Sequence, residues 1–303
     1  MEKSVKDQAN KGPVFIIGSQ RSGTTMLRLM LNAHPNLAVP FESNFIVETY
    51  KILASYGDLS SKYNISQLLD DISEDTFVKR GLLIEDKETI LGAAPETYAE
   101  LIEAIYSVYA RKRGKIRWGD KDPSYVTDID VIYKLFPNCS VVHIVRDGRD
   151  VAGSLKNLDW GSKNLRKLAR DWQWQVILAH KMGAMLGDQY FEVMYEDLVR
   201  EPKIYLQKIC IFIGEEFSDK MLNYHKEARS EIPSDSLKYH ESSILPPNVD
   251  KVQMWKRKMT KTELIIFEQV AGETLSLFGY ETLNKVPTLA VKLKNLWYDL
   301  FMH

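Results

Sequence analysis

Cysteine is scarce in this chain: 303 residues hold two, Cys139 and Cys210, far apart and in no metal-ligand spacing. This excludes a disulfide framework, fits a reducing compartment and leaves both thiols as small core residues. Charge of one sign is lacking too. Lys and Arg number 40 against 41 Asp and Glu, for a net charge of −1. No global field therefore draws the protein to nucleic acid or an anionic membrane, and any basic site is local. Long apolar runs are missing: the N-terminal segment MEKSVKDQANKG is polar, has no apolar h-region, and precedes a strand too short to span a bilayer. The expectation is a soluble, cytoplasmic protein with no nucleic-acid partner. No HExxH, CxxC or GxSxG element occurs, so metallohydrolase and serine-hydrolase readings have no residues to stand on. Repeats and low-complexity tracts are absent as well. What remains is 45% apolar composition, enough for one large α/β core, with or without an inserted helical lobe.

The most informative stretch is Val14-Phe15-Ile16-Ile17-Gly18-Ser19-Gln20-Arg21-Ser22-Gly23-Thr24-Thr25. Four consecutive apolar residues predict a strand buried on both faces, and Met26, Leu27, Met30 and Leu31 continue at helical spacing. Gly18 and Gly23 keep the spacing of the phosphate-cradling loop GxxxxGK[ST], but Thr24 stands where its Lys belongs. Such a loop aims backbone N–H groups at an anion on a helix N-terminus. Without the Lys that serves β and γ phosphates, a donor with less terminal charge than a nucleoside triphosphate is indicated. Arg21, Ser22, Thr24 and Thr25 are candidates to hold it.

Further on, His34-Pro35-Asn36 breaks the helix, and Leu37 to Phe41 predicts an extended segment delivering Glu42. Helical patterns dominate from Ser43 to about Arg113, with 58–103 read as irregular and acidic. The expectation is a helical insertion over about 45–113, acceptor-binding or structural. Strands are predicted at Ile116 to Trp118, Ser140 to Val145 and Tyr190 to Tyr195, and helices at 126–136, 147–158, 164–186, 196–213 and 260–278. Residues 230–250, with Pro233, Pro246 and Pro247, read as a long functional loop. The whole is expected to be a single domain, 1–303, with its core at 13–280. It would be a P-loop-NTPase-like parallel sheet flanked by helices. The tail over 286–303 places Leu289, Leu293, Leu296, Trp297, Leu300 and Phe301 on one helical stripe that must cover something apolar: its own domain, a second copy, or a membrane surface.

A second stretch, Val145-Arg146-Asp147-Gly148-Arg149-Asp150-Val151-Ala152-Gly153-Ser154, ends an apolar strand in a charged turn entering a helix. Ligands in open α/β sheets bind beyond the carboxyl ends of strands, where Arg146 would stand and Ser154 would add a hydroxyl. With this block in view, the chain resembles the sulfotransferases that use 3′-phosphoadenosine 5′-phosphosulfate, and most of all the tyrosylprotein sulfotransferases and their bacterial relatives. The resemblance runs from about Pro13 to Tyr280. It rests on QRSGTT (Gln20 to Thr25), His34-Pro35, Glu42, Lys121-Asp122-Pro123, Leu135-Phe136-Pro137, VRDGRDVAGS and Tyr195-Glu196-Asp197-Leu198, in the family's order.

The resemblance implies transfer of a sulfuryl group to a hydroxyl acceptor such as a sugar, lipid, phenol or tyrosine, leaving adenosine 3′,5′-bisphosphate. Glu42 matches the family's general base. Arg21 and Lys121 match the cations at the departing phosphate oxygen; read from the residues alone, Lys121 is a partner for Asp120 or Asp122. Gln20 to Thr25 would hold the 5′-phosphosulfate, Arg146 and Ser154 the 3′-phosphate, Tyr195 the adenine side, and Ser242 the closing loop. No metal is expected to be required. Two departures stand out: Met254 where relatives carry a cofactor Lys, and Leu158 where a further phosphate Arg belongs. Lys251, Lys256 or Lys156 are the candidates to compensate. Histidine serves as base in another branch, so His34, His143, His180, His225 and His240 compete with Glu42; His34, in a turn, and His143, in a strand, read as structural. A divergent P-loop kinase or NTPase, and a non-catalytic nucleotide-binding module, are the alternatives.

Overall fold

The computed structural model describes residues 11–283. The predicted tail helix lies outside them. Five strands form one parallel sheet in the order β2-β3-β1-β4-β5: β1 Val14–Ile17, β2 Leu37–Ala38, β3 Arg117–Lys121, β4 Ser140–Val145 and β5 Tyr190–Met194. β1 sits at the centre with all four residues buried, as an uninterrupted apolar run demands. Its side chains alternate: Phe15 and Ile17 pack into the core on one face, and Val14 and Ile16 into the core on the other. Both cysteines are buried and free.

Helices cover both faces. In chain order they are α1 Thr24–Asn32, α2 Phe45–Ile52, α3 Lys62–Glu74, α4 Thr76–Gly81, α5 Lys87–Gly92, α6 Tyr98–Lys112, α7 Ile129–Leu135, α8 Gly148–Lys156, α9 Leu165–Leu186, α10 Tyr195–Arg200, α11 Pro202–Ile213, α12 Leu237–His240, α13 Trp255–Lys258 and α14 Lys261–Leu277. α1 and α11 pack with Val14 and Ile16, and α3 and α6 with Phe15 and Ile17.

Three expectations are corrected. The 58–103 stretch is mostly helix, because its acidic and hydroxyl residues cap helices instead of breaking them. Asp75 accepts from the amides of Phe77 and Val78, Asp86 from that of Thr89, and Thr97 forms a reciprocal capping box with Glu100. The 196–213 helix is two helices, since Pro202 has no N–H to continue α10 and instead opens α11. The third strand starts one residue later than predicted and runs on through Gly119, Asp120 and Lys121, with Ile116 left exposed.

The register explains the position of the site. Ile16 pairs with Lys121 on one side, and Ile17 with His143 on the other. The loop after β1, the last residue of β3 and the turn after β4 therefore emerge side by side at one end of the sheet.

Candidate active site

The turn from β1 into α1 is built around Gly23. Its φ is 99°, and a Cβ there would lie 2.5 Å from Cδ2 of Tyr195, so only glycine lets the ring and the loop meet. Arg21 is also left-handed, at φ 67°. No side chain caps α1; Gly23, Thr24 and Thr25 line a cavity of about 890 Å³, so the positive end of the helix dipole faces it. Gln20 and Arg21 line it too. Ser22 does not: it is fully buried, and its hydroxyl lies 2.7 Å from that of Ser19. The sequence reading places Ser22 among the donor-holding residues; in the structure its hydroxyl faces Ser19 within the turn.

Both arginine-bearing turns reach the same cavity. Arg146 donates through Nη1 to the carbonyl of Arg21 at 3.1 Å and through Nη2 to that of Lys251 at 2.8 Å, and its guanidinium lies 4.3 Å from the Tyr195 ring centroid. Arg21 donates through Nε to Ser154 Oγ at 3.1 Å and through Nη1 to the Tyr239 carbonyl at 2.8 Å. Burial, and then the nearby charge of Arg146, lower the Arg21 pKa, with Glu42 opposing. Two converging cations of this kind suit an anion between or beside them. Behind them Asp147 caps α8 and grips buried Arg149 in a two-pronged pair at 3.0 and 2.7 Å, and Arg149 reaches Glu268 at 2.9 Å. Arg149 thus anchors the turn to α14.

Glu42 and Lys121 meet as an ion pair, with Lys121 fully buried at the end of β3 and Glu42 28% exposed toward the cavity. Lys121 therefore reaches the cavity through Glu42, and neither Asp120 nor Asp122 is its partner. Asp120 is buried, accepts from Tyr125 at 2.6 Å and Ser43 at 3.5 Å, and is pushed up to about 6 by burial; Asp122 caps the following turn by accepting from Ser124 N at 2.8 Å. Burial pushes the Glu42 carboxyl up, but the charge and hydrogen bond of Lys121, with smaller help from His240 and Arg28, outweigh it and leave the pKa below its ordinary value. Glu42 is a carboxylate at neutral pH.

Segment 230–254 closes this end. Arg28, fully buried in α1, holds it by donating to the Glu231 carbonyl at 2.9 Å, and Arg80 of α4 ties it to the insertion through Asp235 at 2.7 Å and Ser236 at 2.6 Å. Tyr195, Ser154 and Ser242 line the cavity, and so does Ser243. Met254 and Leu158 line it too. Of the three lysines proposed to compensate for them, Lys251 alone borders the cavity: Lys156 pairs with Glu263, and Lys256 lies 3.5 Å from Glu281. Lys258 also borders it. Phe77, Arg80 and Trp160 line the cavity without having been assigned there from sequence, because single residues in helices and loops carry no spacing signal, and His240, named from sequence only as one of five histidines competing with Glu42, lines it too. His34, by contrast, bonds the Glu216 carbonyl at 2.8 Å and the Asn36 amide at 3.1 Å, and His143 lies 2.5 Å from Tyr190 Oη, so both are structural.

A family model described as "Sulfotransferase family" matches residues 13–219. Among curated proteins, the chain is 21% identical to a putative protein-tyrosine sulfotransferase of Caenorhabditis briggsae, over 94% of this chain and 95% of the relative. It is 25% identical to the protein-tyrosine sulfotransferase of Drosophila melanogaster, over 88% of this chain and 51% of that enzyme. An uncharacterised protein of Aquifex aeolicus is 24% identical over 86% of this chain, which spans a third (33%) of its length. Among solved structures, the sulfotransferase domain of the Synechococcus PCC 7002 olefin synthase superposes with a TM-score of 0.59 at 24% identity, covering 89% of this chain and 94% of that one. The sulfotransferase domain from the curacin biosynthetic pathway gives 0.58 at 19%, covering 89% and 98%. The parallel sheet with its helical layers is thus the fold of those domains. The matched span carries both arginine turns, Glu42 and Lys121, and by it the chain belongs to the sulfotransferase family.

Proposed function

We propose that this protein transfers a sulfuryl group from 3′-phosphoadenosine 5′-phosphosulfate to a hydroxyl acceptor. The observation that carries the reading is the convergence, on one cavity, of two cationic turns with a carboxylate–ammonium pair between the sheet and the closing segment. The residues fit the donor. The amide-rich start of α1 and Arg21 would hold the 5′ end, and Arg146 with Ser154 the 3′-phosphate, while the Tyr195 ring lines the wall between them. The donor supplies the sulfuryl group and a phosphate leaving group.

The remaining chemistry falls to side chains. Glu42, ionised and facing the cavity, takes the acceptor's proton. Lys121 and Arg21 neutralise charge where it grows as the bond to phosphate breaks. Two of the relatives are named protein-tyrosine sulfotransferases, which supports an acceptor bearing a hydroxyl. Calorimetry with adenosine 3′,5′-bisphosphate against ATP–Mg tests the donor site, and preference for ATP–Mg would refute the reading. Transfer of labelled sulfate to a panel of phenols, sugars, lipids and tyrosine peptides tests the activity.

A further inference from the structure

His240 is the one histidine among the described residues that borders the cavity, whereas His225, whose buried Nδ1 also lacks a partner, does not. His34, His143 and His180 each have a ring nitrogen bonded within the fold. Among the described residues, the His240 ring has no hydrogen-bond partner, and it borders the cavity. Two neighbours fix where it sits. The carbonyl of Tyr239, one residue earlier, accepts from Arg21 Nη1 at 2.8 Å. The imidazole itself packs edge-on against Phe41, at 5.6 Å and 87°, and Phe41 immediately precedes Glu42. The ring is therefore held between the cationic loop and the carboxylate, on a segment that both α1 and the insertion tie down.

Burial, together with the charges of Lys121, Arg21 and Arg28, keeps this imidazole neutral at neutral pH despite Glu42. A neutral imidazole offers one N–H donor and one acceptor nitrogen. We infer that His240 donates its N–H to a non-bridging oxygen of the transferable sulfuryl group and orients that group for in-line attack. The inference rests on the donor assignment above.

The chemistry favours a neutral donor at this place. As the acceptor oxygen bonds to sulfur and the sulfur–oxygen bond to phosphate breaks, the acceptor's proton passes to Glu42 and negative charge gathers on the departing phosphate. The transferred SO₃ unit is at its least anionic midway. A cation clamped on its oxygens would hold the ground state more tightly than the transition state, whereas a neutral N–H aligns the group with less to lose. Lys121 and Arg21 are the cations, and their task lies at the leaving phosphate.

The test compares equilibrium binding of 3′-phosphoadenosine 5′-phosphosulfate with that of adenosine 3′,5′-bisphosphate, which lacks only the sulfuryl group, in the full chain. His240→Ala is expected to keep the parent's affinity for the bisphosphate and to lose on the order of three- to tenfold for the phosphosulfate, the scale of one neutral hydrogen bond. His240→Asn and His240→Gln each return an amide N–H near one ring nitrogen, and one of the two is expected to restore the loss. An unchanged ratio of the two affinities in His240→Ala would overturn the inference, whether both held or both fell together; in the second case the ring merely packs the segment on Phe41. If the parent bound neither nucleotide, the donor assignment itself would fail, and this inference with it.

Discussion

The contact between Gly23 and Tyr195 gives a test of the site's architecture. In Gly23→Ala the new Cβ would lie 2.5 Å from Tyr195 Cδ2 and 2.9 Å from Cε2, at a backbone φ of 99°. A left-handed backbone costs a non-glycine residue about 1–2 kcal/mol. Relieving the overlap means displacing a ring that is 8% exposed and covered by the Arg146 guanidinium, and forcing atoms into a packed site costs about 1–3 kcal/mol. The expected loss is the sum, roughly 2–5 kcal/mol, a large share of a typical domain's stability. Because the displaced ring carries Arg146 with it, affinity for adenosine 3′,5′-bisphosphate should fall as well. Denaturant unfolding and calorimetry on the same preparations measure both. Gly272→Ala is the control: it lies inside α14, and its nearest neighbour would be Glu268 Cβ at 3.8 Å, so it should gain about 0.5–1 kcal/mol from helix propensity. Unfolding of Gly23→Ala within about 0.5 kcal/mol of the parent, the ordinary scatter of surface changes, would refute the reasoning.

Glu42→Gln should abolish sulfate transfer while leaving bisphosphate affinity nearly intact; parental turnover in this variant would remove Glu42 from the base role. Lys121→Met removes the charge that holds the Glu42 pKa down, so the acid limb of the kcat/KM profile should move to higher pH, and an unmoved limb would show that Glu42 is not the group titrating. Arg146→Ala should weaken bisphosphate binding by about 1.5–3 kcal/mol, the range for a charged hydrogen bond, with 5′-AMP hardly affected; equal losses for both nucleotides would place the arginine elsewhere than the 3′-phosphate. Burial and the surrounding cations bring His240 down to about 4, below the free value of about 6.5, so the folded protein binds fewer protons and its stability should fall as pH drops through that window, by about 1–3 kcal/mol. His240→Asn should flatten that fall relative to the parent, a comparison in which Asp120, raised to about 6 and so opposite in sign, cancels; identical pH–stability curves would contradict it.

The strands β1 and β4 were legible because they are buried on both faces, so burial leaves a continuous apolar run in the sequence. β3 was legible only at its start, since RWGDK conceals its burial behind charge. Its arginine is satisfied by the carbonyls of Gly12 at 2.8 Å and Ile213 at 2.6 Å, its aspartate by Tyr125 and its lysine by Glu42. Apart from Tyr125, five residues on, these partners lie far away in sequence. The Glu42–Lys121 pair was invisible for the same reason: the two are 79 residues apart and meet only once β2, which leads into Glu42, lies beside β3. Motif spacing located the two turns that line the cavity, but it did not show that the Ser22 hydroxyl faces Ser19, because the loop's shape, with Gly23 against Tyr195, decides which hydroxyls point outward. Arg80 and Phe77 carry no local pattern that places them at the cavity, and His240 was marked only by its residue type, since tertiary contacts decide which of the histidines reaches it.

The hydrogen bonds from Arg80 to Asp235 and Ser236 join the insertion to the segment that shuts the cavity. Under the proposed reading, a hydroxyl acceptor entering beside Phe77 would lie within reach of this clasp, while Arg146 and Tyr195 stand on the far side of the central strand. On that reading, selection could rework the choice of acceptor by altering one flank and leave the proposed nucleotide-holding residues untouched. This tie, with those of Arg21 and Arg146 to the same segment, would then let the arrival of one substrate be felt where the other is held.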